Sequence, residues 1–203
     1  MSDDRKAHWD NVYDTKQPHE VSWTQEQPEA FLKYIHSLNL PKSASIIDIG
    51  GGDSKLVDCL LDNGFEHITV LDISEAALKR AQVRLGDKAN KVKWIVSDII
   101  HFEPEQQYDI WHDRATFHFL TTPAQIDQYI KIAHKAVKEY LVISTFSDKG
   151  PETCSGLQVK QYSEDELHKK LSKGFTKIKC ITEDHITPFN TIQNFLCCSF
   201  KKL

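Results

Sequence analysis

Three consecutive glycines, Gly50, Gly51 and Gly52, follow the apolar run Ile46-Ile47-Asp48-Ile49 and precede Asp53-Ser54-Lys55-Leu56. The chain holds only eight glycines in 203 residues, so three in one loop is a marked concentration. Glycine permits positive φ and lets a ligand approach the backbone with no Cβ in the way. A strand that ends in such a loop and feeds a helix N-terminus presents amide hydrogens and partial positive charge. These residue types in this order point to a nucleotide-type cofactor site at the carboxyl end of a first strand. Two acids extend the pattern. Asp72 closes the run His67 to Leu71, where a carboxylate can accept hydrogen bonds from ribose hydroxyls. Asp98 closes a third run, Val92 to Val96, within Ser97-Asp98-Ile99. Taken singly, each acid also reads as an ordinary turn residue, and the glycines as a tight turn with no ligand.

Spacing narrows the cofactor. A dinucleotide fingerprint, G-x-G-x-x-G, needs its third glycine at position 55, which is Lys55. No Gly-Lys-Ser/Thr follows, so a P-loop is excluded as well. The remaining string, Asp48-x-Gly50-x-Gly52-x-Ser54, resembles motif I of the class I (seven-β-strand, Rossmann-like) S-adenosylmethionine-dependent methyltransferases, with Ser54 in place of a final glycine. The resemblance covers roughly residues 40 to 201. It implies S-adenosyl-L-methionine as cofactor and S-adenosyl-L-homocysteine as product. It places Asp48, Gly50, Gly51, Gly52, Ser54, Ile73, Ser97 and Ile99 in the cofactor site, with Asp72 at the ribose and Asp98 at the adenine amino group.

The same resemblance locates the reacting end at Tyr108-Asp109-Ile110-Trp111-His112-Asp113-Arg114-Ala115-Thr116-Phe117-His118. His112 and Asp113 are expected beside the methionine moiety. Methyl transfer needs an aligned, deprotonated acceptor. His118 is the candidate general base, since imidazole titrates near neutrality, with Asp113 as its companion in catalysis. The alternatives are that Asp113 and Arg114 pair with each other or cap a helix, and that His118 lines a wall. Upstream, Trp9, Tyr13 and Trp23 stand in a polar lead-in, and tryptophan is costly to expose. They either wall the cofactor cleft or pack an N-terminal helix on the sheet. Their pattern resembles a signature in a methyltransferase subgroup that includes lysine methyltransferases of translation factors. No Asn/Asp-Pro-Pro-Tyr/Phe and no Pro-Cys motif occurs, which disfavours a nucleic-acid base as acceptor.

Composition bounds the rest. Forty per cent hydrophobic and 27% charged residues suit a globular domain, and a net charge of −4 gives no general pull toward nucleic acid or anionic membrane. No apolar run reaches membrane-spanning length, and the acidic start does not resemble a signal peptide, so a cytoplasmic protein is expected. The five cysteines form no C-x-x-C pair and read as packed free thiols; with the ten histidines they form no metal-ligand spacing, so no metal is expected.

Strand-like runs fall near 45–49, 67–71, 92–96, 107–112, 139–145, 174–182 and 191–201. Helical patterns separate the first five. This order predicts an α/β fold: a doubly wound, mostly parallel seven-stranded sheet with an antiparallel C-terminal hairpin and helices on both faces. Ser74 and Ser163 read as helix N-caps. One domain is expected, with a cover over the cleft in 1–40, a cofactor-binding half in 41–145, and a substrate lid plus hairpin in 146–203. The expected partner is a small-molecule acceptor (thiol, carboxylate or hydroxyl) or a protein lysine, handled by a monomer or weak dimer. Competing classes are an NAD-dependent oxidoreductase, opposed by Lys55, and a non-catalytic cofactor-binding module.

Overall fold

The computed structural model describes residues 2–25 and 27–203. Its centre is a strand buried on both faces. β1 (Ser45–Ile49) carries Ile46, Ile47 and Ile49 with no exposed surface, as a parallel strand covered by helices requires. β2 (His67–Asp72), β3 (Val92–Val96), β4 (Tyr108–Arg114) and β5 (Val137–Phe146) add parallel neighbours. β8 (Phe175–Ile186) and β9 (Ile192–Lys202) close the sheet antiparallel, giving the order β3-β2-β1-β4-β5-β9-β8. The expected fold class is thus observed.

Side-chain alternation sorts the core into two layers. Ile46 and Ile110 pack with α2 (Glu29–Ser37), α3 (Leu56–Asp62) and α4 (Glu75–Leu85) on one face. Ile47, Ile49 and Trp111 pack with α5 (Pro123–Ala136) and α6 (Glu164–Leu171) on the other. α1 (Ser2–Thr15) lies across the carboxyl end of the sheet, near α4. Local signals hold these helices in place. The Ser74 hydroxyl accepts from the Ala77 amide, and Ser163 forms a reciprocal capping box with Glu166.

Two local expectations are corrected and one segment gains detail. β8 is longer than its apolar run suggested, because Glu183, Asp184 and His185 continue it along an edge with a half-exposed face, whereas β9 has the expected length. Between β5 and α6, the short pair β6 (Thr153–Cys154) and β7 (Leu157–Gln158) turns at Ser155 and Gly156, both with positive φ. The cysteines are not all free: Cys180 and Cys198 face each other across β8 and β9 and form a disulfide. Spacing 18 residues apart hid the pair, since only hairpin register makes them neighbours. Cys59, Cys154 and Cys197 are free thiols. Among the described residues no helix is long and apolar enough to cross a membrane, and no three His, Cys, Asp or Glu converge as a metal site.

Candidate active site

Strand order reverses between β1 and β4, and open α/β sheets bind ligands at that crevice, outside the carboxyl ends of the strands. A cavity of about 540 Å³ opens there. The glycine loop forms its floor. Gly50 and Gly52 have φ of +63° and +49°, a region that excludes most side chains. A Cβ on Gly50 would lie 1.8 Å from Thr116 Oγ1, and one on Gly52 would lie 2.6 Å from the Tyr13 hydroxyl. The expectation of free loop amides is not met. Gly50 and Gly51 N–H both donate to Leu71 O (2.7 and 3.2 Å), and the Gly52 amide donates to the Asp72 carboxylate. What the loop contributes is therefore close approach, not donors.

Asp72 is 6% exposed and also accepts from the Ser74 amide at 2.8 Å. No lysine or arginine pairs with it among the described residues. Burial raises its pKa to about 7, because two amide hydrogen bonds offset only part of the cost of a dry negative charge. Asp48, one strand over, accepts from His112 Nδ1 at 2.7 Å, and the two are register partners across β1 and β4. Asp98 is engaged already: Arg5 of α1 donates to its Oδ2 at 2.6 Å, and the Ile100 amide to its Oδ1 at 3.2 Å.

Of the sequence-predicted residues, Asp48, Gly50, Gly51, Ser54, Asp72 and Ile73 line the cavity. Ser97, Asp98, Ile99 and His112 line it too, as do Trp9, Tyr13 and Trp23 from the cover. Gly52 sits just behind the wall, under Tyr13. The two proposed catalytic groups are not brought to it. Consecutive strand residues point to opposite faces, so His112 and Asp113 cannot share a wall. His112 turns toward the cavity, its ring centre 4.0 Å from that of Phe31 in a tilted contact. Asp113 turns toward α5, where it accepts from Tyr129 Oη at 2.6 Å and from the Thr116 and Phe117 amides. Asp113 thus anchors the turn after β4, with its pKa raised to about 6 by burial.

His118 follows that turn and is fully buried, stacked at 4.2 Å on Phe146, with Nδ1 accepting from the Phe146 amide. Its Nε2 has no partner. Burial, with help from the nearby Arg114 charge, lowers its pKa to about 3, so the ring stays neutral. The ring does not line the cavity but lies behind Phe119 and Phe146, which do.

The structure adds wall residues that the sequence did not single out. Arg114 ends β4, Phe119 follows it, and Phe146 ends β5. Gln193 and Phe195 come from β9, nearly eighty residues beyond Arg114 in the chain. Only the antiparallel return of β9 beside β5 brings them in. Trp9 meets Phe119 at 5.1 Å and Trp23 at 5.7 Å, both edge-on, which roofs this end with aromatic surface.

Residues 46–140 match a family model described as a methyltransferase domain. A malonyl-[acyl-carrier protein] O-methyltransferase of Anoxybacillus flavithermus is 33% identical over 107 residues, 52% of this chain and 40% of that protein. An EEF1A lysine methyltransferase 2 of Danio rerio is 25% identical over 122 residues, 55% of this chain and 52% of that one. The chain spans about half the length of such curated relatives. Among solved structures, a SAM-dependent methyltransferase from Anabaena variabilis superimposes with a TM-score of 0.77 at 12% identity, covering 100% of this chain and 95% of that one.

Proposed function

We propose that the chain is a class I S-adenosylmethionine-dependent methyltransferase, a reading supported by the methyltransferase-domain match over residues 46–140 and by the fold, and that it transfers a methyl group from S-adenosylmethionine to a compact acceptor seated under the aromatic roof. The observation that carries this reading is Asp72: a buried carboxylate with no lysine or arginine partner among the described residues, on the same wall as a glycine floor that permits close approach. Such a group is an acceptor suited to the two hydroxyls of a ribose. Asp48 and His112 flank the neighbouring strand tip and fit the methionine end. Asp98, already held by Arg5, fixes α1 over the adenine side while keeping carboxylate lone pairs for a ring amino group.

Bound there, S-adenosylmethionine supplies an electrophilic methyl on a sulfonium whose positive charge disappears during transfer. Trp9, Tyr13 and Trp23 exclude water from that region, which favours loss of charge. Phe119, Phe146 and Phe195 shape the acceptor end. Among the described residues no histidine or carboxylate at that end is positioned as a base, which supports an acceptor already ionised or readily ionised: a carboxylate or thiol more than a hydroxyl. The named lysine methyltransferase relatives support a second reading, a protein lysine acceptor.

Calorimetric titration with S-adenosylhomocysteine tests the cofactor. Micromolar binding by the native chain and loss of binding in Asp72→Ala are expected; a native chain that does not bind ends the reading. Transfer of labelled methyl to thiols, carboxylic acids and cell lysate then separates small-molecule from protein acceptors, and an enzyme from a silent binding module.

A further inference from the structure

Resting on that cofactor reading, we propose that the acceptor carries a carboxylate, which Arg114 holds against the Phe146–Phe195 wall. Arg114 lines the cavity with its Cζ 4.9 Å from the centre of the Phe195 ring. One nitrogen, Nη1, donates to the Trp23 carbonyl at 3.0 Å. The other, Nη2, is buried and has no partner. The contrast with its neighbours is informative. Arg5 and Arg84 line the same cavity and are paired with Asp98 and Asp58. Among the described residues no carboxylate pairs with Arg114.

A guanidinium hydrogen taken out of water and left unbonded is costly, so a fold that keeps one is built for a missing acceptor. The second observation is Gln193. It shares a face of β9 with Phe195, lines the cavity, and its side-chain oxygen is buried with no partner. Turned about its last bond, the same amide presents two N–H donors to an anion. Burial draws the Arg114 pKa down from its ordinary value, against Cys197, Glu183 and Asp48, whose charges raise it; a guanidinium keeps its charge at working pH. One cation and one amide suit a monoanion; a phosphate dianion would call for further positive charge. Aromatic rings at Phe119, Phe146 and Phe195 leave room for an apolar body. A lysine acceptor would bring its ammonium beside Arg114, a like-charge contact that disfavours it.

The test measures binding of benzoate, phenylacetate and octanoate, each against its neutral amide, to the S-adenosylhomocysteine complex by calorimetry. At least one acid is expected to bind tenfold or more tightly than its amide. Arg114→Gln should remove that preference while S-adenosylhomocysteine affinity changes by less than about threefold, and Arg114→Lys should restore part of it. If Arg114→Gln does not fold, the native acid-to-amide ratio and the Gln193→Leu variant, expected to weaken the acid several-fold, still decide. Equal binding of acids and amides, binding of none of the acids, or an unchanged preference in Arg114→Gln overturns the proposal while the cofactor reading stands. Failure of the native chain to bind S-adenosylhomocysteine overturns both.

Discussion

Burial moves Asp72 and His118 in opposite directions, and each shift has a measurable consequence. Asp72 resists ionisation in the fold, so the folded chain keeps a proton there that the unfolded chain releases between pH 3.8 and about 7. Its contribution to stability therefore falls as pH rises through that window. Asp72→Asn removes the penalty: the ligand-free variant should be more stable at pH 8, by at most about 4 kcal/mol, with the gain shrinking toward pH 4. Denaturant unfolding at the two pH values checks this, and a destabilised variant at pH 8 would contradict it. The same variant should lose cofactor affinity, the usual exchange of stability for function. His118 is neutral throughout the working range. His118→Ala should destabilise the fold by about 2–4 kcal/mol, through lost stacking and an orphaned Phe146 amide. The pH–rate profile of the variant should keep the native shape between about pH 5 and 8. Loss of an acidic limb in the variant would return His118 to catalysis.

At the scale of elements, the cover and the terminal hairpin do separate work. α1 reaches the cavity through Arg5, Trp9 and Tyr13, and its Asp10 accepts from the Ser74 hydroxyl at 2.7 Å, tying it to the N-terminus of α4. Trp9→Ala should weaken S-adenosylhomocysteine binding about tenfold, or roughly 1.4 kcal/mol, with little change in folding midpoint. An unchanged affinity would make α1 mere packing. Helix 75–85 was legible from the Ser74 cap, the Ala77-Leu78-Ala81-Leu85 stripe and the Gly86 stop, all local signals. The Cys180–Cys198 bond was not, because it depends on β8–β9 register. Closing an 18-residue separation, it should contribute roughly 2–3 kcal/mol. Cys180→Ser should lose that amount without reductant, and reductant should bring the native protein down to the variant's stability.

For the molecule as a whole, ligand binding and proton binding are linked through the cavity. On the proposed reading the ribose hydroxyls bind the ionised form of Asp72, whose pKa burial raises to about 7. Affinity for S-adenosylhomocysteine should therefore be level above that value and fall about tenfold per pH unit below it, with a proton released on binding at pH 6. Calorimetry in buffers of different ionisation enthalpy reads that proton directly. At a hundredfold excess over Kd, the ligand should also raise folding stability by about 2.7 kcal/mol. A flat affinity profile would remove Asp72 from the contact.

Residues close in sequence carried the glycine-loop end of the cavity. The Gly50–Gly52 loop, the strand-end acids and the βα alternation are local patterns, written in φ preference, capping and periodicity, so the chain alone determined the fold class and the β1 crevice. The opposite end of the cavity, beneath Phe119, Phe146 and Phe195, was decided by tertiary structure. Strand alternation turned Asp113 away from the cavity while keeping His112 and Arg114 on it, the turn after β4 buried His118 under Phe146, and β9 returned to deliver Gln193 and Phe195. The physical reason is that burial and hydrogen-bond partners set what a titratable side chain can do, and partners distant in sequence are chosen by sheet register.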